Sequence, residues 1–176
     1  MATDVDFMKQ AIKAAKSAFL AGEFPVGCVI ADKERILATG FRKGTAGLYS
    51  NEIDHAEIIT LRRLFENQPP KNTPKNTPEN MDDLSLFCTM QPCLMCFGAI
   101  LLSGIKRIVY AYEDVMGGGT RCDLSVLPKL YSDVNITIVP HVLRRQSLAL
   151  FKAFFSKPEN NYWKNSLLAE YTLAQN

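Results

Sequence analysis

The residues best able to do chemistry together are His55 and Glu57, in His55-Ala56-Glu57, and Cys93 and Cys96, in Gln91-Pro92-Cys93-Leu94-Met95-Cys96. Imidazole nitrogen and thiolate sulfur are the donors that zinc prefers. Three protein ligands, His55, Cys93 and Cys96, would leave one tetrahedral position for water, which is the mark of a catalytic zinc site rather than a structural one. Zinc brings the pKa of such a water down to about 7. Glu57 lies two residues from His55, close enough to reach that water without being a ligand, and is the expected catalytic proton carrier.

A Cys-x-x-Cys pair by itself would equally suit redox chemistry or structural zinc. A structural site would want a fourth protein ligand, and the candidates His141, Cys28, Cys88 and Cys122 stand at no paired-ligand spacing. Cys28 and Cys88 fall in predicted strands and read as small buried hydrophobes. Gly117-Gly118-Gly119 lacks the lysine and hydroxyl pattern of a phosphate loop and reads as a flexible turn, although Arg121 beside it could touch a phosphate.

The elements that must position these groups follow from periodicity. Met8, Ala11, Ile12, Ala15 and Phe19 predict a helix over about 6–21, capped by Thr3 or Asp4 and stopped at Gly22. Residues 24–31 and 36–41 predict an antiparallel hairpin around a charged turn. A helix from about His55, capped by Asn51 or Asp54, would carry His55 and Glu57 in its first turn. The stretch 68–80, rich in proline, predicts an exposed, mobile excursion.

Strand 84–89, helix 93–102 and strand 105–112 in succession imply a right-handed crossover and a parallel pair. Pro92 suits the first turn of that helix, and i, i+3 spacing places both sulfurs on one side. The helix's positive end favours thiolate. Val134–Val139 predicts an edge strand, and 141–155 and 162–173 predict helices. The fold class expected is α/β, a three-layer α/β/α domain with a mixed sheet.

The chain has 176 residues, 47% hydrophobic and 22% charged, enough for one domain with a sizeable core. A formal charge of +2 permits a nucleic-acid partner without requiring one. Five cysteines, an odd set, exclude a dense disulfide scaffold. No signal-type or bilayer-spanning apolar run is present, so no membrane partner and a cytoplasmic location are expected.

His-x-Glu with Pro-Cys-x-x-Cys is the pattern of zinc nucleobase deaminases, and from Phe7 to about Phe155 the chain resembles the bacterial tRNA adenosine deaminases of the cytidine deaminase-like superfamily. Matching pieces are Glu23-Phe24-Pro25-Val26-Gly27, the two zinc motifs, Gly98-Ala99, Ser103-x-Ile105-x-Arg107, Asp114 and Phe154-Phe155. The resemblance implies a cytidine deaminase-like fold with a five-stranded sheet and a homodimer. It implies Zn2+ on His55, Cys93 and Cys96, catalysis by Glu57, and substrate contacts from Arg42, Ala56, Pro92, Asp114, Phe154 and Phe155.

The implied activity is hydrolytic deamination of an amino-substituted purine or pyrimidine, with tRNA adenosine-to-inosine deamination the nearest named reaction. A free nucleobase, nucleoside or nucleotide of guanine, cytosine or adenine type is the alternative substrate. An inactive zinc-stabilised scaffold or nucleic-acid-binding module is the alternative of another class. The chain departs from the tRNA enzymes at Gly40-Phe41-Arg42, where they usually have Gly-Trp-Asn with the asparagine on the base, and at Gln91, where they have glutamate. One deaminase domain is expected over 1–176, with 156–176 a helical extension suited to cover apolar surface as a lid or dimer element.

Overall fold

The computed structural model describes residues 2–47, 50–66 and 81–176. The excursion predicted over 68–80 lies outside the described residues. A five-stranded sheet runs in the order β2-β1-β3-β4-β5, with β1 Gly27–Ala31, β2 Ile36–Phe41, β3 Ser85–Met90, β4 Arg107–Tyr112 and β5 Thr137–Val139. β1 is antiparallel to both β2 and β3, whereas β3, β4 and β5 are mutually parallel. The sheet is mixed, as expected, and β5 is its edge.

Period-two alternation assigns the two faces. Val29, Ala31, Phe87, Val109 and Ala111 meet Phe7, Met8, Ala11 and Ile12 of α1 (Asp4–Leu20). Cys28, Ile30, Leu86, Cys88 and Ile108 meet Ala56, Leu61 and Leu64 of α2 (Ala56–Glu66) and Phe97 and Ile100 of α3 (Leu94–Ser103). α1 begins at a capping box in which Thr3 Oγ1 accepts from Asp6 N–H while the Asp6 carboxylate accepts from Thr3 N–H. It approaches the sheet so closely that a Cβ on Gly27 would lie 2.2 Å from the Ala11 carbonyl oxygen. Only glycine fits there.

A short α4 (Lys129–Ser132) precedes β5, and α5 (Arg144–Phe155) and α6 (Leu167–Ala174) end the chain. Both last helices start later than the periodicity predicts. His141 (φ 66°) and Leu143 (φ 58°) take left-handed backbone before α5, and Trp163 (φ 51°) and Asn165 (φ 61°) do so before α6. An apolar period cannot register such turns at non-glycine residues. Ser166 then caps α6, its side chain accepting from Ala169 N–H at 3.2 Å.

Candidate metal centre and pocket

Each functional side chain stands at the junction of two elements. Asn51 Oδ1 accepts from the N–H groups of Ile53 (2.9 Å) and Asp54 (3.2 Å), turning the chain so that α2 can start. His55 is the residue just before α2, not inside its first turn as expected, and its carbonyl accepts Ile59 N–H at 3.0 Å. Glu57 does lie in that turn, 3% exposed. Cys93 is the N-cap of α3, with extended backbone (ψ 173°), and Cys96 sits within the first turn.

Pro92 therefore precedes the cap rather than opening the helix. It is held there because the chain pairs as a β-bridge at Cys93 and Gly118, and the Pro92 carbonyl accepts Gly119 N–H at 2.9 Å. The glycine loop is correspondingly a packed wall rather than a flexible turn. A Cβ on Gly119 would fall 2.6 Å from the Leu94 nitrogen, at the start of α3.

The donor atoms of His55, Cys93 and Cys96 lie within 4.8 Å of one another. His55 Nδ1 is 3.6 Å from Cys93 Sγ and 3.5 Å from Cys96 Sγ. A tetrahedral ion with Zn–S of about 2.3 Å and Zn–N of about 2.0–2.1 Å sets the nitrogen–sulfur separation at about 3.6 Å. The residues fit zinc. Electrostatics agree: Cys93 is drawn down to about 4 by its hydrogen bond with Cys96 and, against burial, by His55, so it is thiolate at neutral pH. Cys96, bonded to Cys93 and buried, is pushed up, as two adjacent anions without a cation require.

Glu57 is raised above the ordinary carboxyl range by burial, with His55 opposing. Cys88 lies close enough to Glu57 for each to bear on the other's charge. Cys88 is itself cross-strand partner to Cys28 and is raised far upward by burial. Neither Cys28 nor Cys88 joins the metal cluster among the described residues.

In front of the metal residues lies a small cavity of about 70 Å³, walled by Phe24, Val26, Arg42, Ala56, Glu57, Met90, Gln91, Asp114, Tyr162 and Trp163 among others. Of the expected substrate contacts, Arg42, Ala56 and Asp114 reach this wall. Pro92, Phe154 and Phe155 do not: Phe154 and Phe155 stand one layer behind, with ring centroids 5.3 and 5.9 Å from that of Phe24. Asp114 Oδ1 accepts from Met116 and Gly117 N–H, both at 2.9 Å, and burial raises its carboxyl. Gln91 is tied at both ends, accepting Asp114 N–H at 3.1 Å and donating to Thr120 Oγ1 at 2.6 Å.

Sequence reasoning missed Phe24, Tyr162 and Trp163 as wall residues. The Tyr162 and Trp163 rings stack at 5.1 Å and 12°, and both pack on Phe24. The aromatic richness of 156–176 was the available signal. Among the described residues no helix is long and apolar enough to cross a membrane.

Residues 1–112 match the family described as the cytidine and deoxycytidylate deaminase zinc-binding region. The tRNA-specific adenosine deaminase of Buchnera aphidicola subsp. Schizaphis graminum is 31% identical over 86% of this chain and 93% of its own. That of Haemophilus influenzae is 31% identical over 88% and 84%. A solved structure from studies of A-to-I editing by tRNA:A34 deaminases superposes with a TM-score of 0.65 at 25% identity, covering 82% of this chain and 97% of that one. With that match over most of its length and relatives 31% identical across most of both chains, the chain belongs to the cytidine and deoxycytidylate deaminase zinc-binding family.

Proposed function

We propose that this chain hydrolyses an amino-substituted nucleobase to the oxo form with release of ammonia. The observation that carries the reading is Glu57, buried beside three zinc donors on the wall of a mainly apolar cavity. Zinc held by His55, Cys93 and Cys96 supplies the Lewis acidity that makes water nucleophilic near neutral pH. Glu57 takes a proton from the water that adds to the amino-bearing carbon and gives it to the ring nitrogen, then takes the second proton from the hydroxyl so formed and gives it to the departing amino group. Water consumed and ammonia released then balance. A carboxyl raised by burial suits both halves of this transfer. Phe24, Val26 and Met90 exclude bulk water from the ring.

Adenosine in tRNA is the first substrate to test, because the curated relatives carry that activity. The cover of Tyr162 and Trp163 favours a second reading, a small free base. A purely structural zinc site would have no use for Glu57. The experiment is ammonia release from a panel of bases, nucleosides, nucleotides and tRNA. Glu57→Ala is expected to lower kcat by about 10²–10⁴-fold while zinc stays at one per chain by metal analysis. Undiminished turnover in that variant would remove Glu57 from the mechanism.

We further propose a cytoplasmic homodimer joined through α2 and α3. Phe65 (48% exposed) and Leu102 (62% exposed) support this, flanking a shallow apolar hollow with Ile58, Leu61 and Ala99.

A further inference from the structure

Arg42 is 2% exposed, an extreme for an arginine. Its Nη2 donates to Glu52 Oε2 at 2.9 Å and to Tyr162 Oη at 3.4 Å, and the Tyr162 hydroxyl donates to the same Glu52 oxygen at 2.8 Å. Its Nη1 is the one buried side-chain nitrogen or oxygen without a partner among the described residues. Leaving a charged donor buried and unpaired is costly, so such a group points to a partner that arrives later. Arg42 lines the cavity in front of the metal residues, which makes the substrate the nearest candidate for that partner.

The chemistry of that partner is restricted. A guanidinium has donors only, so the bound ring must offer an acceptor at this place and not an N–H. Asparagine offers both, pairing with adenine's donor–acceptor edge, whereas arginine pairs with acceptors such as the oxygen of guanine. A full anion is disfavoured, because Glu52 already balances the Arg42 charge, Glu57 and Asp114 add two carboxyls to the lining, and His55 is engaged as a zinc donor. A neutral acceptor satisfies Nη1 without stranding a charge, and a carbonyl oxygen, with two lone pairs, offers a guanidinium more than a purine ring nitrogen with one.

We infer that Arg42 selects the substrate by a carbonyl oxygen, so that this enzyme takes a free amino-oxo base, of guanine or cytosine type, beneath the Tyr162–Trp163 cover. The inference rests on the deaminase reading and names its substrate class. Arg42 acts as a specificity residue and leaves the proton transfers to Glu57.

The test uses pairs that differ only in the oxygen: guanine against 2-aminopurine, and cytosine against 4-aminopyrimidine, with adenine and tRNA alongside. A hydrogen bond to a charged group corresponds to roughly 10- to 100-fold, and kcat/KM is expected to favour one oxo base over its partner by that factor. Arg42→Lys should bring the ratio close to one. Calorimetric titration of zinc-loaded Glu57→Ala protein with the same pairs should show the same preference in Kd and its loss in the Arg42→Lys double variant. Should Arg42→Lys fail to fold by circular dichroism, the wild-type ratios still decide. Equal treatment of both members of each pair, a ratio unmoved by Arg42→Lys, turnover confined to tRNA, or preference for a nucleotide over its free base would each overturn the inference. No ammonia from any substrate would defeat the deaminase reading alone, and the binding ratios would then judge Arg42.

Discussion

At the scale of single residues, the metal triad was readable from the chain because its constraints are local. Donor type is fixed by zinc chemistry, and Cys93 and Cys96 are one helical turn apart, so spacing alone brings two sulfurs together. Arg42 was readable only as a departure, since nothing local records that Glu52 and Tyr162 would occupy one nitrogen and leave the other free. The contrast between the cysteines gives a direct check. Cys93, drawn down to about 4, is thiolate at pH 6, while Cys96 and Cys88 are raised. In metal-free protein at pH 6, iodoacetamide should alkylate Cys93 ahead of Cys96 and Cys88, read by peptide mass spectrometry. Added zinc should protect Cys93, and exposed Cys122 should label either way. Alkylation of Cys93 that persisted under saturating zinc would take it out of the ligand set.

At the scale of elements, strands and their pairing were legible because alternation and the strand-helix-strand crossover leave few topologies. Helix starts were less so. Left-handed backbone at His141, Leu143, Trp163 and Asn165 depends on tertiary packing, and a run of apolar residues reads through it. Glycines 117–119 were misjudged as loose for a related reason: a glycine chosen for close approach to α3 looks, in sequence, like one chosen for freedom. The exposed side of α2 and α3 carries the dimer expectation. Leu102→Glu should convert a species of twice the 19.7 kDa chain mass into one of single mass by sedimentation equilibrium. Wild type already running as a monomer at micromolar concentration would refute it.

At the scale of the whole molecule, the end of the chain returns to the site and is held at several points. Tyr171 donates to Glu113 Oε1 at 2.7 Å, Arg144 pairs with the same carboxylate, and Tyr112 Oη and Thr172 Oγ1 share a hydrogen bond of 3.1 Å. Burial would raise Glu113, but the bonds from Arg144 and Tyr171 outweigh it and hold the carboxyl at about 2, below its ordinary 4.5. A carboxyl depressed by folding stabilises the folded form fully above the ordinary value and loses that contribution as pH falls through the folded one. The cover should therefore loosen between about pH 4.5 and pH 2. Trp163, the single tryptophan, reports this by fluorescence. Glu113→Gln should shift the loosening to higher pH or make it constitutive, and an unchanged acid transition in that variant would dismiss Glu113 as the anchor.

The pairing of Cys28 with Cys88 at the centre of the sheet has one more consequence, for the traffic of hydrogen ions. Glu57 lines the cavity and has Cys88 beside it, and a thiol already protonated and raised so far cannot accept another proton. Cys88 is no outlet for a proton. With Glu57 as the proposed proton carrier, hydrogen taken from the attacking water would pass to the product and ammonia rather than to the Cys88 thiol.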